Sequence, residues 1–506
     1  MRISDLPPDA QQGLIPEPQG EMYYQCLGCG REYPADTLLY TCPQCKSVFM
    51  LHDRNAQRLR NIPGQEWRRI FDYRKTLSEP SLKGIFLFHE LIAPVIPLDK
   101  IVYLGEGHTP IIKAHPSLRA EIGATFYFKN DGQNPSASFK DRGMACALSY
   151  INWLVDRLGL KELLAMCAST GDTSAAAALY TGYLSGRVKS AVLLPKGKVT
   201  MQQLGQPLGS GAKVFELPGV FDDAMKVVER LAEEYNVALL NSKNAWRLKG
   251  QESYSYEIAQ WFDYDTQNLA VFVPIGNAGN ITAVMSGFLR LYDLGIIDAL
   301  PKIVGVQSHH ADPVYRYYLE PDRGKRVFKP VTVQPSVAQA AMIGNPVSMP
   351  RVIHVADEYE ERAGRRRIYV VQVTEQEIID HMLIANRRGH VVCTHGGECL
   401  AGLKAAIKEK IIPPDEEAIL DSTAHALKFA SFQDMYFSDS FPPEYEVVPR
   451  KELQNRPIYV RPARLERAPG EGSPLTPEEF EVFVSETVRE VAMILDLKKK
   501  SDEQGA

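Results

Sequence analysis

Short apolar runs alternate with amphipathic stretches along most of the chain, and this alternation predicts its secondary structure. Apolar runs of about five to eight residues, bounded by Gly, Pro or polar residues, are typical of buried strands. Stretches whose apolar positions repeat about every 3.6 residues are typical of helices. The predicted strands are 125–129, 163–167, 188–195, 212–219, 269–275, 303–307, 368–373 and 418–420. The predicted helices are 144–154, 199–209, 221–236, 281–294, 375–388 and an amphipathic helix that begins at a capping box, 476–479.

The order of these elements predicts an α/β fold. Strands that alternate with helices of about 10–15 residues form βαβ units, and such units build a parallel sheet. A chain of 506 residues is long enough for about three domains, or for one large α/β unit with additions. Residues 1–20 are polar and rich in proline and lack the apolar core of a signal peptide, so we expect a flexible lead.

Composition and charge exclude some classes of protein. Hydrophobic residues make up 45% and charged residues 24% of the chain, which is typical of a soluble globular protein. No uninterrupted apolar run approaches the roughly 18 residues of a membrane span. The formal charge of -5, from 62 acidic and 57 basic side chains, disfavours nucleic acid as the main partner. We therefore expect a cytoplasmic protein whose partner is neither a membrane nor a nucleic acid.

Four of the eight cysteines form two C-x-x-C pairs that predict a metal site. Each pair presents two thiolates at one turn, which suits tetrahedral Zn²⁺. Two disulfides or a nucleic-acid-binding ribbon are the alternatives. The adjacent His309 and His310 are a poor metal pair because neighbouring side chains point in different directions, so we expect loop histidines. The predicted ligands of a structural zinc ribbon over residues 21–52 are Cys26, Cys29, Cys42 and Cys45.

One lysine is distinguished by its place between a turn and an apolar helix. Lys140 follows the Ser/Phe-containing turn 134–139 and precedes the predicted helix 144–154. At a helix N-terminus the dipole disfavours a further positive charge and helps to lower the pKa of a lysine amine. This suits a lysine that must be neutral for part of a catalytic cycle, as in Schiff-base chemistry. The alternative is a solvated surface lysine.

Two turns between a strand and a helix predict anion-binding sites. Residues 168–173 combine small hydroxyl residues with a glycine, and residues 276–280 contain two glycines. Such turns expose successive backbone N–H groups and the helix dipole to an anion. The second turn lacks the third glycine of a dinucleotide fingerprint, which weakens a Rossmann interpretation. For Asp172 in the first turn, the alternative is an ordinary acidic residue at a helix N-terminus.

Six motifs occur in an order that matches one known family. They are LGEGHTP at 104–110, NPSASFKDRGM at 134–144, ASTGDTSAAAA at 168–178, PIGNAGNITA at 274–283, IGNPVS at 343–348 and DSTAHALK at 421–428. Together they resemble the motifs of the threonine synthase family, whose members use pyridoxal phosphate (PLP) and have the tryptophan synthase β-like fold. The resemblance covers roughly residues 20–430.

The resemblance implies a domain organisation. It predicts the two-domain PLP fold type II, with a catalytic body over residues 53–430 and a smaller subdomain at about 141–250. The zinc ribbon precedes this body. Residues 431–506 then form a linker and a C-terminal amphipathic helix. The family also implies a homodimer.

The resemblance further implies a role for individual residues. Lys140 is then the catalytic lysine and binds PLP, and Asp172 meets O3′ of the cofactor. Thr423 bonds the pyridine nitrogen, with Asp421, two residues earlier, as the alternative. The implied phosphate cradle consists of Gly276, Asn277, Ala278, Gly279 and Asn280. The implied substrate contacts are Thr109, Ser169 and Thr170.

The implied reaction is that of a lyase, in which O-phospho-L-homoserine and water give L-threonine and phosphate. A neutral hydroxyl at the pyridine nitrogen makes PLP a weaker electron sink, which suits elimination and replacement. Two other reactions on the same fold remain as alternatives: a cysteate synthase, which uses O-phosphoserine and sulfite, and a threonine/serine dehydratase. A non-catalytic, PLP-like binding module is the alternative from another class.

One segment departs from the family pattern. Residues 391–399 read VVCTHGGEC, where much of the family has Glu-Pro followed by Ala or Ser. His395 and Glu398 are candidate acids or bases in this segment. We favour a Gly-Gly turn at 396–397, which needs no catalytic role.

Overall fold

The computed structural model describes residues 1–169, 171–196, 201–219, 221–462 and 465–499. A boundary after Pro449 divides these residues into two compact units. Among the described residues, no helix combines the length and the apolar character needed to cross a membrane.

Strands and helices alternate along most of the first unit. The strands are β1 (Met22–Cys26), β2 (Glu32–Pro34), β3 (Phe49–Asp53), β4 (Ile111–Lys113), β5 (Phe126–Asn130), β6 (Leu163–Ala168), β7 (Val188–Pro195), β8 (Lys213–Leu217), β9 (Val237–Leu239), β10 (Leu269–Pro274), β11 (Lys302–Ser308), β12 (Ile368–Val373) and β13 (Glu417–Ser422). The α-helices are α1 (Pro8–Gln11), α2 (Gly64–Thr76), α3 (His89–Ile92), α4 (Pro116–Ile122), α5 (Lys140–Arg157), α6 (Asp172–Tyr183), α7 (Met201–Gly209), α8 (Phe221–Glu234), α9 (Ala245–Trp261), α10 (Gly279–Asp293), α11 (Pro313–Tyr318), α12 (Met349–Ala363), α13 (Glu375–Asn386), α14 (Thr394–Lys408), α15 (Ala430–Ser438) and α16 (Pro477–Ile494).

The largest sheet has six strands in the order β12-β11-β10-β13-β5-β4. Neighbouring strands run parallel except β4, which pairs antiparallel with β5. Every residue of β10 is buried, as is typical of a parallel sheet that helices cover on both faces. The prediction of an α/β fold built on parallel strands is therefore confirmed.

A second sheet has four parallel strands in the order β8-β7-β6-β9. The helix before it, α5, packs against α9. The two backbones are so close that an added Cβ at Gly250 would lie 2.0 Å from Arg142 O. Only glycine fits there, and this contact brings the first turn of α9, with Arg247, beside the first turn of α5.

The N-terminal ribbon is an antiparallel sheet in the order β2-β1-β3. It packs on two helices of the body. Trp246 Nε1 in α9 donates a hydrogen bond to Tyr24 Oη at 3.1 Å, and Arg351 Nε in α12 donates to Phe49 O at 2.8 Å. The ribbon and the body therefore share one apolar core.

The first twenty residues pack against α2, whereas the sequence predicted a flexible lead. Leu6, Ala10 and Leu14 are buried, and Arg74 Nε donates to Leu14 O at 2.8 Å. The polar and proline-rich composition of the segment hid these three apolar residues, of which only Ala10 lies in a helix.

The predicted Gly-Gly turn at 396–397 is a helix in the structure. Both glycines lie in the first turn of α14, which begins at Thr394. An added Cβ at Gly397 would lie 2.4 Å from Ile378 O in α13. The two glycines therefore allow α13 and α14 to pack closely, and the pair does not mark a chain reversal.

The second unit contains α16. Thr476 caps this helix: its side chain accepts from Glu479 N, and the Glu479 side chain accepts from Thr476 N. Pro477 occupies the first helical position, where its missing N–H is not needed.

Candidate active site

A cavity lies at the carboxyl ends of β10 and β13, and we call it the Lys140 cavity. Ligands of parallel α/β sheets bind at this edge of the sheet. The first residues of α5, α6 and α10 line it. It brings together eight residues that the sequence placed in the site: Lys140, Asp172, Gly276, Asn277, Ala278, Gly279, Asn280 and Thr423.

Lys140 begins α5 and carries an amine without an acidic partner. Its Nζ lies 4.1 Å from the ring centroid of Phe139. Within the described residues, no carboxylate lies at ion-pair distance from this nitrogen. Burial and the positive charge of Arg247 lower the pKa of Lys140 to about 7, although Asp172 and Asp421 act in the opposite direction. Near neutral pH, a large fraction of this side chain is therefore a free amine.

The turn between β10 and α10 offers unpaired backbone donors. Among the described residues, no acceptor is hydrogen-bonded to the N–H groups of Gly276, Asn277 or Ala278. Ala278 adopts the left-handed conformation, with φ of 62°, which turns successive N–H groups toward one point. An added Cβ at Gly276 would lie 3.0 Å from Ala340 O, so a larger residue would crowd this turn. The turn is a candidate anion cradle.

Asp172 is paired with a lysine far along the chain. Lys428 Nζ donates to Asp172 Oδ1 at 3.0 Å, and both side chains are buried. Asp172 begins α6, where the helix dipole also favours a negative charge. The pair gives this wall of the cavity a carboxylate and an ammonium that neutralise each other.

Asp421 lies near the end of β13 and Thr423 directly follows this strand, but their surroundings differ. Thr423 lines the cavity. Asp421 accepts a hydrogen bond from Asn280 Nδ2 at 2.8 Å, while burial and the charge of Asp131 raise the pKa of Asp421 well above its usual range. The Asn280 amide thus joins α10 to β13, and Asp421 is not among the described residues that line the cavity.

Arg247 is a cavity residue that the sequence analysis missed. Its Nη1 donates to Leu240 O at 2.9 Å, but its buried Nε has no hydrogen-bond partner within the described chain. No acidic side chain in the described residues forms an ion pair with it, and burial lowers the pKa of Arg247 to about 10. The charged residues of α9 become unusual only in the structure, which buries this helix on all sides.

Two of the three predicted substrate residues, Thr109 and Ser169, are not among the described residues that line the cavity. The Thr109 hydroxyl donates to Asp131 Oδ1 at 2.6 Å and accepts from Arg142 and Lys129. This differs from the prediction of a substrate contact, because a buried ion network already uses the hydroxyl. Ser169 Oγ accepts a hydrogen bond from Gly171 N at 3.1 Å, just before α6. Thr170 lies outside the described residues.

His395 lines the cavity, whereas Glu398 does not. Burial lowers the pKa of His395 to about 4, so its imidazole is neutral. Its Nε2 is buried and has no hydrogen-bond partner in the described chain. Burial and the charge of Glu375 raise the pKa of Glu398 well above its usual range. The position of His395 follows from α14, which begins one residue before it.

The four ribbon cysteines form a separate cluster. Cys26 Sγ lies 3.3 Å from Cys45 Sγ, and Cys29 Sγ lies 3.6 Å from Cys42 Sγ. All four sulfur atoms lie within 4.8 Å of one another, and all four cysteines are free thiols. Sulfur atoms that converge in this way are typical of a tetrahedral metal centre.

Known proteins share this sequence and this fold. The profile of the family "Pyridoxal-phosphate dependent enzyme" matches residues 102–420. Threonine synthase of Methanocaldococcus jannaschii is 36% identical over 417 residues, which cover 80% of this chain and 93% of that protein. Threonine synthase 2, chloroplastic, of Arabidopsis thaliana is 32% identical over 432 residues, which cover 85% of this chain and 80% of that protein.

The fold has a matching solved structure. The crystal structure of threonine synthase from Escherichia coli superposes with a TM-score of 0.61 at 19% identity, and the match covers 81% of this chain and 90% of that chain. At this identity the superposition shows the shared fold. Because the sequence relatives match over most of their length at more than 30% identity, the chain belongs to the threonine synthase family of pyridoxal-phosphate dependent enzymes.

Proposed function

We propose that this chain converts O-phospho-L-homoserine and water into L-threonine and phosphate. One observation carries the proposal: the Lys140 cavity holds a partly neutral amine together with two separate anion-binding features. One feature is the N–H cradle at Gly276–Asn280, and the other is the unpaired guanidinium of Arg247. A phosphorylated cofactor and a phosphorylated substrate require two such features.

The residues of the cavity fit PLP. Lys140 offers the amine, the turn at Gly276–Asn280 offers N–H groups to the phosphate, and Asp172 and Thr423 offer polar groups to the ring. When bound, PLP supplies an aldehyde that links to amines and a ring that withdraws electrons from the substrate Cα. A neutral Thr423 hydroxyl at the ring nitrogen moderates this withdrawal, which favours elimination and replacement.

Lys140 moves protons in the proposed reaction. With a pKa of about 7, its free amine takes the proton from the substrate Cα, and its protonated form returns protons to carbon. Phosphate leaves from Cγ, and a water oxygen is added at Cβ. The net change replaces a phosphate by a hydroxyl group one carbon away, so no oxidant or reductant is needed.

Arg247 and the N-terminus of α6 hold the substrate in this proposal. The Arg247 guanidinium has free donors and no acidic partner among the described residues, so it suits the substrate phosphate. Ser169 and Thr170 precede the first turn of α6, whose N–H groups suit the substrate carboxylate. Thr109 is left out of the proposed contacts because its hydroxyl is engaged elsewhere.

The cysteine cluster is proposed to hold a structural zinc ion. Four Zn–S bonds of about 2.3 Å place neighbouring sulfur atoms about 3.8 Å apart in a tetrahedron, close to the 3.3 and 3.6 Å found here. The ribbon carrying this zinc is tied to the cavity wall, because Arg351 donates both to Phe49 O and to Ser242 O. Zinc would thus stabilise a wall of the active site.

The proposal extends to location and assembly. A homodimer in the cytoplasm is supported by the family resemblance and by the chemistry of a biosynthetic enzyme. Sedimentation velocity of the PLP-loaded protein checks the assembly, and a single species with the mass of one chain would contradict the dimer.

The decisive experiment measures two products from O-phospho-L-homoserine. We expect threonine and phosphate in equal amounts, and we expect both to be lost in Lys140→Ala. Lys161→Ala is the matched control, because Lys161 is exposed and should leave the rate unchanged. O-phosphoserine with sulfite is the competing substrate pair. Cysteate from this pair, with O-phospho-L-homoserine untouched, would contradict the proposal in favour of a related reaction on the same fold.

A further inference from the structure

A cluster of two histidines and one glutamate lies apart from the Lys140 cavity. His309 and His310 directly follow β11, and Glu446 follows the short turn Pro443–Tyr445 near the end of the first unit. None of the three is among the described residues that line the Lys140 cavity. Adjacent histidine side chains were expected to point in different directions, but the two ring centroids lie only 4.2 Å apart.

Three possible ligand atoms converge in this cluster. His309 Nε2 lies 3.1 Å and His310 Nε2 lies 3.6 Å from Glu446 Oε2. The ligand atoms of the three residues all lie within 4.8 Å of one another. Metal bonds of about 2.0–2.2 Å from imidazole and carboxylate ligands place neighbouring ligand atoms about 3.3 Å apart in a tetrahedron. Two of the three separations are already close to this value.

His310 has the tautomer and the surroundings of a metal ligand. Its Nδ1 lies 2.6 Å from Pro335 O, and a carbonyl oxygen can only accept, so Nδ1 carries the hydrogen. Nε2 then presents a lone pair to the cluster. This Nε2 has no hydrogen-bond partner within the described chain, although His310 is only 2% exposed. A buried acceptor without a partner is costly unless something binds it.

A second carboxylate stands behind the cluster. Glu375 Oε1 lies 3.7 Å from His310 Nδ1, and Glu375 is itself held by Val337 N at 2.7 Å. Metal-binding histidines usually donate their other ring N–H to a carbonyl or carboxylate group, which fixes the ring and makes it more basic. His310 has both kinds of group on that side.

The loop that carries Glu446 is held in place. The ring of Tyr445 packs against Phe432 and Phe441, with centroids 5.9 and 5.7 Å away. Val448 N donates to Gln376 Oε1 at 2.7 Å. Glu446 itself is exposed, so an ion can reach the cluster from solvent and can keep a water ligand on that side.

We infer that His309, His310 and Glu446 bind a divalent cation of the zinc class. Two imidazoles and one carboxylate are the ligands that Zn²⁺, Co²⁺ and Ni²⁺ share. The bound ion fastens the segment that ends the first unit to the end of β11 in the large sheet. This inference goes beyond the proposed function, because the cluster takes no part in the Lys140 chemistry.

The test counts Co²⁺ and Zn²⁺ per chain in the full-length protein after removal of metals with a chelator. Co²⁺ bound by the ribbon thiolates gives a thiolate-to-metal charge-transfer band, whereas Co²⁺ bound by nitrogen and oxygen ligands gives none. We expect one equivalent of Co²⁺ that produces the charge-transfer band and a second equivalent that does not. Glu446→Gln should weaken the second equivalent by at least about 100-fold, because losing even an outer-shell partner costs about 10–100-fold.

A matched control and a second variant complete the test. Glu444→Gln removes an exposed acidic side chain from the same turn and should leave both equivalents unchanged. His310→Gln should remove the same equivalent as Glu446→Gln while the charge-transfer band remains. Two outcomes would overturn the inference. In one, Glu446→Gln still binds the second equivalent of Co²⁺ as tightly as the parent chain does. In the other, titration of the parent chain yields only the equivalent bound by the thiolates.

Discussion

Lys140 and Arg142 lie two residues apart on α5 and have opposite electrostatic surroundings. Arg142 donates to Asp131 Oδ2 at 2.7 Å and to Glu257 Oε1 at 2.5 Å, and Lys129 donates to Glu257 Oε2 at 2.7 Å. Two cations and two carboxylates balance one another in this buried network. Lys140, by contrast, has no acidic partner at ion-pair distance among the described residues.

The pKa values of the two regions differ accordingly. Burial by itself would raise the pKa of Glu257, but the charges of Arg142 and Lys129 hold this pKa well below its usual range. At Lys140, burial prevails and lowers the pKa to about 7. Buried polar groups are usually satisfied inside a protein. A buried amine left without a partner therefore indicates a binding or catalytic site, and a saturated ion network indicates a structural role.

The largest expected effect is the loss of catalysis in Lys140→Ala. We expect kcat/KM to fall by about 10⁴-fold or more, because proton transfer by a positioned side chain alone contributes about 10²–10⁴-fold. Its midpoint in urea should not fall, since the removed amine has no acidic partner among the described residues and a buried charge without one is costly. Steady-state assays with O-phospho-L-homoserine and urea titrations measure the two quantities. If Lys140→Ala unfolded at a lower urea concentration and kept its activity, Lys140 would have a structural role and not a catalytic one.

The next effect is on folding, in Arg142→Leu. This change leaves the buried Asp131 and Glu257 carboxylates without their main partner, so we expect the free energy of unfolding to drop by about 3–5 kcal/mol. Urea denaturation measures the drop. Arg157→Leu on the same helix is the control, because its ion pair with Asp36 is exposed and is worth about 0–1 kcal/mol. Equal losses in the two variants would contradict the structural role of the network.

Thr109→Val tests whether Thr109 contacts the substrate, as the sequence predicts, or stabilises the buried ion network, as its hydrogen bonds indicate. The valine removes a hydroxyl that bonds Asp131, Arg142 and Lys129, so we expect a loss of about 1–3 kcal/mol in the free energy of unfolding. The KM for O-phospho-L-homoserine should stay unchanged. Thr109→Ser keeps the hydroxyl and should restore most of the stability. A raised KM at unchanged stability would instead support the predicted substrate contact.

The last expected effect is a pH dependence of the stability of the protein without PLP. The pKa of Lys140 is about 7 in the folded chain and about 10.4 when unfolded. Below pH 7 both states hold the proton, and the cost of the buried charge is present in full. Between these two values the unfolded chain binds more protons, so this lysine makes stability rise with pH, by at most about 1.4 kcal/mol per pH unit.

The contribution of Lys140 is measured as a difference between variants. Urea midpoints across pH 6–10 should rise less steeply in Lys140→Met than in the parent chain, and Lys161→Met should follow the parent. Parallel curves for the parent and Lys140→Met would show that the amine keeps an ordinary pKa.

Much of the fold and of the site could be predicted from local sequence. Strands such as 368–373 and the helix after 374 follow from apolar periodicity, which depends on neighbouring residues alone. The glycine-rich turn at 276–280 and the C-x-x-C pairs carry their chemistry in short motifs. These features were predicted because the groups that determine them lie within a few residues.

Other features depend on contacts between distant parts of the chain. Lys428 pairs with Asp172 across 256 positions, and Glu446 approaches His309 across 137. Thr109 was expected at the substrate, yet its hydroxyl joins a network built from three other segments. No local sequence pattern reveals these long-range partners, because the chain contains many side chains of the same type that could form each contact.

The sequence by itself determined the α/β class and predicted the lysine and the glycine-rich turn that line the Lys140 cavity, since these rest on periodicity and on short motifs. Only the tertiary structure decided which charged side chains remain without partners. Among the described residues, Lys140 and Arg247 have no acidic partner and Arg142 is saturated, because the packing of α5 against α9 sets which carboxylates each cation can reach. The residue type sets which chemistry a side chain can perform, and its burial and the distances to neighbouring charges determine its protonation state in the folded protein.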